Sequence, residues 1–182
     1  MTSIDGLRDE HRRIDAMLSA LDAVAERLDR DEAAPAFVEE LIEFFRLFAD
    51  ARHHAKEEQR LFPLLAGGDS SYGVIDALRH HHDLGRMLVG EMRQALTHLR
   101  AGDPTAARMF AASARSYTQL LRVHIDIEER EVFAEAGRTL TATEERTLRE
   151  AFEALDSTRA ALQEVARWER LAEQVRATSV RA

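Results

Sequence analysis

Apolar residues in this chain recur at steps of three and four along stretches that contain almost no glycine or proline, the period of an amphipathic helix. The first stretch carries Leu7, Ile14, Leu18, Leu21, Ala25 and Leu28, with Ser3 or Asp5 as N-cap and His11 inside the stripe. After a break around Asp31 to Pro35, a second carries Val38, Ile42, Phe45 and Ala49 and runs to about Leu65. GGDSSYG, residues 67–73, reads as a loop. A third stretch carries Val74, Leu78, His82, Gly85, Val89, Met92 and Leu96 as far as AGDP at 101–104. The fourth carries Phe110, Ala114, Tyr117, Leu121, His124, Glu128 and Val132 and closes near Gly137. Four helices of similar length with short connections predict an all-α fold, an antiparallel up-and-down four-helix bundle over residues 1–140. Thr141 or Thr143 would cap an additional long C-terminal helix within residues 141–182. Its Leu148, Phe152, Leu155, Leu162, Val165 and Leu171 are spaced to pack on the bundle or in a homodimer interface, with a frayed end.

Composition narrows the function classes. The 182 residues carry 25 basic and 33 acidic side chains, a net charge of −8, which disfavours nucleic acid and anionic membrane surfaces as partners. There is no cysteine, so thiolate metal sites, iron–sulfur ligation and thiol nucleophiles are excluded, and any metal must be held by nitrogen and oxygen. MTSIDGLRDEHRR lacks the apolar core of a signal peptide, and no run approaches the roughly 20 apolar residues of a spanning helix. A soluble cytoplasmic protein is expected.

One internal repeat sorts the histidines. His11 and His82, His53 and His124, and Glu57 and Glu128 are each separated by the same 71 residues. The same shift takes Leu7 to Leu78, Leu28 to Leu99, Glu58 to Glu129 and Phe62 to Phe133. A solvated charge run has no reason to recur at one offset together with its apolar neighbours, so the pattern points to a two-fold pseudo-symmetric constellation.

Residues four apart lie on one face of a helix, so His53 with Glu57 and His124 with Glu128 each present an imidazole and a carboxylate together. His11 and His82 come from the other two helices. Burying so many ionisable groups is costly without partners, and metal is the usual compensation. Two cations suit the count: Glu57 and Glu128 would bridge them, the four histidines would cap them in pairs, and a bridging oxo or hydroxo group would bring each to about five ligands. Imidazole and carboxylate without sulfur suit two iron ions best, with manganese or zinc as alternatives. His54 points about 100° away from His53 on an α-helix, yet a site near the bundle axis could recruit it as a fifth imidazole. Glu58 and His81 read as additional metal ligands or outer hydrogen-bonding partners, and Glu129 as an outer partner or solvated group. His80 reads as a surface or outer residue and His98 as solvated. The chain has no HExxH, Glu-x-x-His, GxGxxG, P-loop or GxSxG motif.

His11, HHAKEEQRLFP from His53, HHHDLGR from His80 and HIDIEEREVF from His124 together resemble the hemerythrin-like, HHE cation-binding family over about residues 4–137. The resemblance implies a four-helix bundle with a non-haem di-iron centre that binds oxygen or related small ligands. Carried over position by position, the metal ligands would be His11, His53, Glu57, His82, His124 and Glu128, the set that the repeat selects. Oxygen-carrying hemerythrins have a second histidine one turn before the third-helix ligand. Leu78 stands there in this chain, and His54 is the residue that could supply the missing imidazole.

Three functions follow as expectations: binding or sensing of O2 or NO in a pocket near Phe45, Phe48 and Leu121; consumption of hydrogen peroxide by a catalase-like or peroxidase-like enzyme; and iron storage or iron sensing. All use the same ligands, so the sequence leaves open whether the protein is an enzyme.

Overall fold

The computed structural model describes residues 2–28, 35–66 and 72–157, together with Arg167, Trp168, Arg170, Leu171 and Glu173. All regular structure among them is helical. Helix α1 is Ser3–Leu28. Helix α2 (35–65) is one continuous rod made of Pro35–Phe44, a π-helical stretch Phe45–His54, a second π-helical stretch Glu57–Leu61, and Phe62–Leu65. Helix α3 is Tyr72–Arg100. Helix α4 (106–139) consists of Ala106–Ile127, the π-helical Glu128–Val132 and Phe133–Thr139. Helix α5 is Ala142–Asp156. Residues 31–34 and 67–71 of the expected breaks lie outside the described residues, while Pro35 already opens α2 and Tyr72 and Gly73, expected in the loop, open α3. Thr139 ends α4 two residues beyond the expected glycine.

Ion pairs and hydrogen bonds give the directions. Arg8 reaches Glu129 while Arg122 reaches Asp22, so α1 and α4 are antiparallel. His82 meets Glu58 and Arg100 meets Glu39, so α2 and α3 are antiparallel. Ser113 donates to Glu91, and His124 faces His82, which makes α3 and α4 antiparallel as well. The four rods therefore alternate in direction, as the short connections predicted.

Each rod is apolar at both ends and polar in the middle. One apolar layer contains Ile14, Leu18, Leu21, Phe45, Phe48, Met92, Phe110 and Tyr117. The other contains Leu7, Leu61, Phe62, Leu78, Val132 and Phe133. Burying a side chain of this size stabilises by about 1.5–3 kcal/mol, so the two layers fix the rods and exclude water from what lies between them. In α1 the gap between layers holds His11, in α2 His53 to Glu57, in α3 His82, and in α4 His124 to Glu128.

Helix α5 begins with a capping box: Glu144 N–H donates to the Thr141 hydroxyl, and Thr141 N–H donates to the Glu144 carboxylate. Leu148 and Phe152 enter the second apolar layer, and Glu145 accepts hydrogen bonds from the Ser3 backbone and hydroxyl. Leu155 departs from its expected inward position and is 41% exposed. Leu162 and Val165 lie outside the described residues. Trp168 and Leu171 join the first apolar layer, with the indole edge-on to Phe44 at 5.4 Å between ring centroids.

Candidate metal centre

The π-helical turns sit where the donors are. Phe62 N–H donates to Glu57 O and Phe133 N–H donates to Glu128 O, each five residues back and themselves 71 apart. A π-turn takes more residues to go round than an α-turn. Along Phe45–His54 this slows the rotation of the buried stripe, so that His53 and His54 are both inward, at 1% and 3% exposure. The α-helical phase used on the sequence therefore placed His54 too far from its neighbour.

Two groups of donors result. His11, His53, Glu57 and Glu128 have ligand atoms within 4.8 Å of one another, as do His54, Glu57, His82 and His124. All seven side chains are buried. Both carboxylates reach across the two groups. Glu57 places Oε1 3.1 Å from His53 Nε2 and Oε2 3.7 Å from His82 Nε2. Glu128 Oε2 is 3.2 Å from both His11 Nε2 and His124 Nε2. The six residues selected by the repeat are thus brought together, and His54 joins them with its ring stacked on His82 at 3.9 Å. The histidines divide two and three between the groups, where the sequence suggested pairs. Leu78 is fully buried and apolar in the layer beside His82.

Outer carboxylates orient the rings. His11 Nδ1 donates to Glu129 at 3.0 Å, His82 Nδ1 to Glu58 at 2.6 Å, and His53 Nδ1 to Glu10 at 2.9 Å. An ionised carboxylate only accepts, so each bond holds a proton on Nδ1 and leaves Nε2 facing the interior. Glu129 and Glu58 are the repeat-related pair, and the pseudo-two-fold extends to them. It fails at the third bond: the position 71 beyond Glu10 is His81, which is half-buried, belongs to neither donor group and lies 5.9 Å from the His124 ring. His124 Nδ1 consequently has no hydrogen-bond partner. His80 and His98 are exposed, as expected.

Electrostatics follow from this layout. Burial opposes charge on His53, but Glu57 and Glu10 outweigh it and push its pKa up to about 10. Burial likewise opposes charge on Glu10, yet His53 and Lys56 hold it down to about 2. Glu128 is held well below the usual carboxylate range against its burial, by His124 and His11. His54 goes the other way, kept neutral by burial and by the neighbouring histidines His82, His124 and His53.

The donor layer passes a direct test for a cation site. His11 Nε2, His53 Nε2, both nitrogens of His54 and all four carboxylate oxygens of Glu57 and Glu128 are buried without a hydrogen-bond partner. Several of these atoms approach one another closely enough for ion pairs but are not aligned for hydrogen bonds. Leaving such groups unsatisfied costs roughly 1–3 kcal/mol each. Cations coordinated by nitrogen and oxygen would satisfy them, apart from the second nitrogen of His54, since an imidazole offers one ring nitrogen to a given centre.

A helical bundle whose interior carries a layer of imidazoles and carboxylates defines a cation-binding protein built between facing helices. The comparisons supply the family. A sequence model of the hemerythrin HHE cation binding domain matches residues 2–136, and the chain belongs to that family. Proteins of Mycobacterium bovis and of two Mycobacterium tuberculosis strains, each described as uncharacterised, are 28% identical over 154 residues. These matches cover 84% of this chain, which spans 60% of the length of those relatives. No solved structure matches. No helix among the described residues is long and apolar enough to cross a membrane.

Sequence reasoning missed Glu10 and Lys56. Both are buried, and Lys56 is the only lysine in the chain. The repeat discards them because it maps Glu10 onto His81 and Lys56 onto Ile127.

Proposed function

We propose that the chain holds two iron ions, one in each donor group, and reversibly binds a small ligand such as O2 or NO beside the His54, His82 and His124 group. The observation that carries this reading is a cavity of about 180 Å³ lined by His54 and His82 together with Arg46, Asp50, Gly85, Arg86, Val89, Gly90, Arg93 and Tyr117. It touches one donor group and none of the histidines of the other. Phe45, Phe48 and Leu121, the expected pocket residues, are packed in the apolar layer and do not line it. Iron bound there would supply reversible redox chemistry and an open coordination position.

The chain's own residues set the access. Arg86 is tied to Asp50 at 2.7 Å, Glu58 at 3.2 Å and Asp83 at 2.9 Å, so it forms a fixed polar edge between α2 and α3. Through Glu58 the same network reaches His82 Nδ1. Gly85 leaves room: a Cβ there would lie 3.5 Å from the Tyr117 ring, and a longer side chain would have to occupy the cavity.

Anaerobic titration of the reduced, iron-loaded protein with O2 or NO tests the proposal, and a saturable spectral change that reverses when the gas is removed is expected. Gly85→Leu should keep its iron and its fold, since glycine is the poorer helix former by about 1 kcal/mol, while its ligand response weakens. Irreversible oxidation with no reversible change would overturn the reading. Oxygen evolution from hydrogen peroxide above that of free iron would favour the peroxide-consuming alternative instead.

A further inference from the structure

Helix α5 lies beyond residues 2–136, yet it closes a continuous line of contacts that ends on a metal-site histidine. Asp156, the last residue of α5, pairs with Lys56 Nζ at 2.8 Å and also accepts from Arg52 at 2.8 Å. Lys56 is buried and donates to Glu10 Oε1 at 2.5 Å, with its ammonium 5.4 Å from the Phe152 ring of α5. Glu10 uses its other oxygen to accept from His53 Nδ1 at 2.9 Å. We propose that Asp156 is a positioning residue for the metal centre, acting through Lys56 and Glu10 to orient His53. The inference rests on the two-ion reading above.

The physical argument is one of shared charge. Glu10 fixes the His53 ring and makes its Nε2 a better donor. A buried ammonium with Glu10 as its one partner would draw on that same carboxylate. Asp156 shares the ammonium's bonding with Glu10, and the Phe152 ring faces the same ammonium. Without Asp156, a positive charge with Glu10 as its one carboxylate partner would sit three residues along from His53 in sequence and one carboxylate away in space, opposing a cation at the His11 and His53 group.

The other half of the site has no such line to α5: Glu58 holds His82 Nδ1 and is tied to Arg86, and through it to Asp50 and Asp83, all on α2 and α3. The positions related to Glu10 and Lys56 by the repeat are His81 and Ile127, and His124 Nδ1 lacks a partner. The two donor groups are therefore inequivalent: one is tethered to α5, and the other faces the cavity. Whatever displaces α5 should alter the tethered half alone.

Fe²⁺ affinity measured by competition with a chelator, on the full chain, tests this. The unmodified protein should bind two ions. Asp156→Asn should weaken one of them by about 10-fold or more, the range typical of losing an outer partner, and leave the other unchanged. Asp156→Glu should restore most of the loss. Glu145→Ala releases α5 from Ser3 at its other end without touching Lys56, and it should change neither affinity. Iron loading should also slow hydrogen exchange of the α5 amides in the unmodified protein and not in Asp156→Asn, because coupling is reciprocal. Unchanged affinities in Asp156→Asn, or an equal loss in Glu145→Ala, would overturn the positioning role while leaving the two-ion reading intact. Failure of the unmodified protein to bind iron would overturn both.

Discussion

Glu57→Ala is expected to lose both metal ions together, whereas loss of an outer carboxylate weakens only one. Glu57 is the one residue common to both donor groups. Its two oxygens face opposite ways, one toward His53 and one toward His82, and the side chain is 0% exposed, so no water can substitute from bulk solvent. Glu58 touches the site only through His82 Nδ1. Glu58→Ala should therefore cost about 10- to 100-fold in affinity at a single ion, and Glu57→Ala should exceed that at both. Metal content per chain and chelator competition would measure the difference. Retention of one tightly held ion by Glu57→Ala would show that the carboxylate is not shared.

Lys56→Ala should be among the most destabilising substitutions in the chain. Removing one partner from a buried ion pair typically costs about 3–5 kcal/mol, because the remaining charge stays buried. Here the remaining charge is Glu10, buried and left with His53 as its one hydrogen-bond donor. For a chain of this length the loss corresponds to a fall of roughly 6–20 °C in Tm. Combining Lys56→Ala with Glu10→Gln should cost less than the sum of the single changes, since the neutral amide no longer needs the ammonium. A change in Tm of the size given by an exposed ion pair, below about 1 kcal/mol, would contradict the burial of this pair.

The parts of this molecule that obey one period were legible in the sequence. The three-and-four spacing of apolar residues marked four bundle helices and a start of α5 at Thr141 or Thr143, of which Thr141 is the cap, because each helix buries a single stripe against the others. The 71-residue offset picked out six donors, because the two halves of the bundle place corresponding residues at one level. It also flagged Glu58 and Glu129, whose matched roles on His82 and His11 only the packing could assign.

What escaped breaks the period. The π-turns around His53 and Glu57 change the phase of α2, and His54, which the sequence left open as a fifth imidazole, enters the donor layer from a position that an α-helix would turn away. Glu10, Lys56 and Asp156 come from three different helices and have no counterparts under the repeat, so nothing in one dimension relates them. Leu155 looked inward by spacing, but α5 is buried along Leu148 and Phe152 and leaves Leu155 outside that stripe.

The central claim is that one buried layer of five histidines and two glutamates holds two cations. Anaerobic titration of the metal-free protein with Fe²⁺, with bound iron counted per chain after removal of excess, tests it most directly. Saturation at two ions per chain is predicted. Saturation at one, or no retained iron at all, would contradict the account.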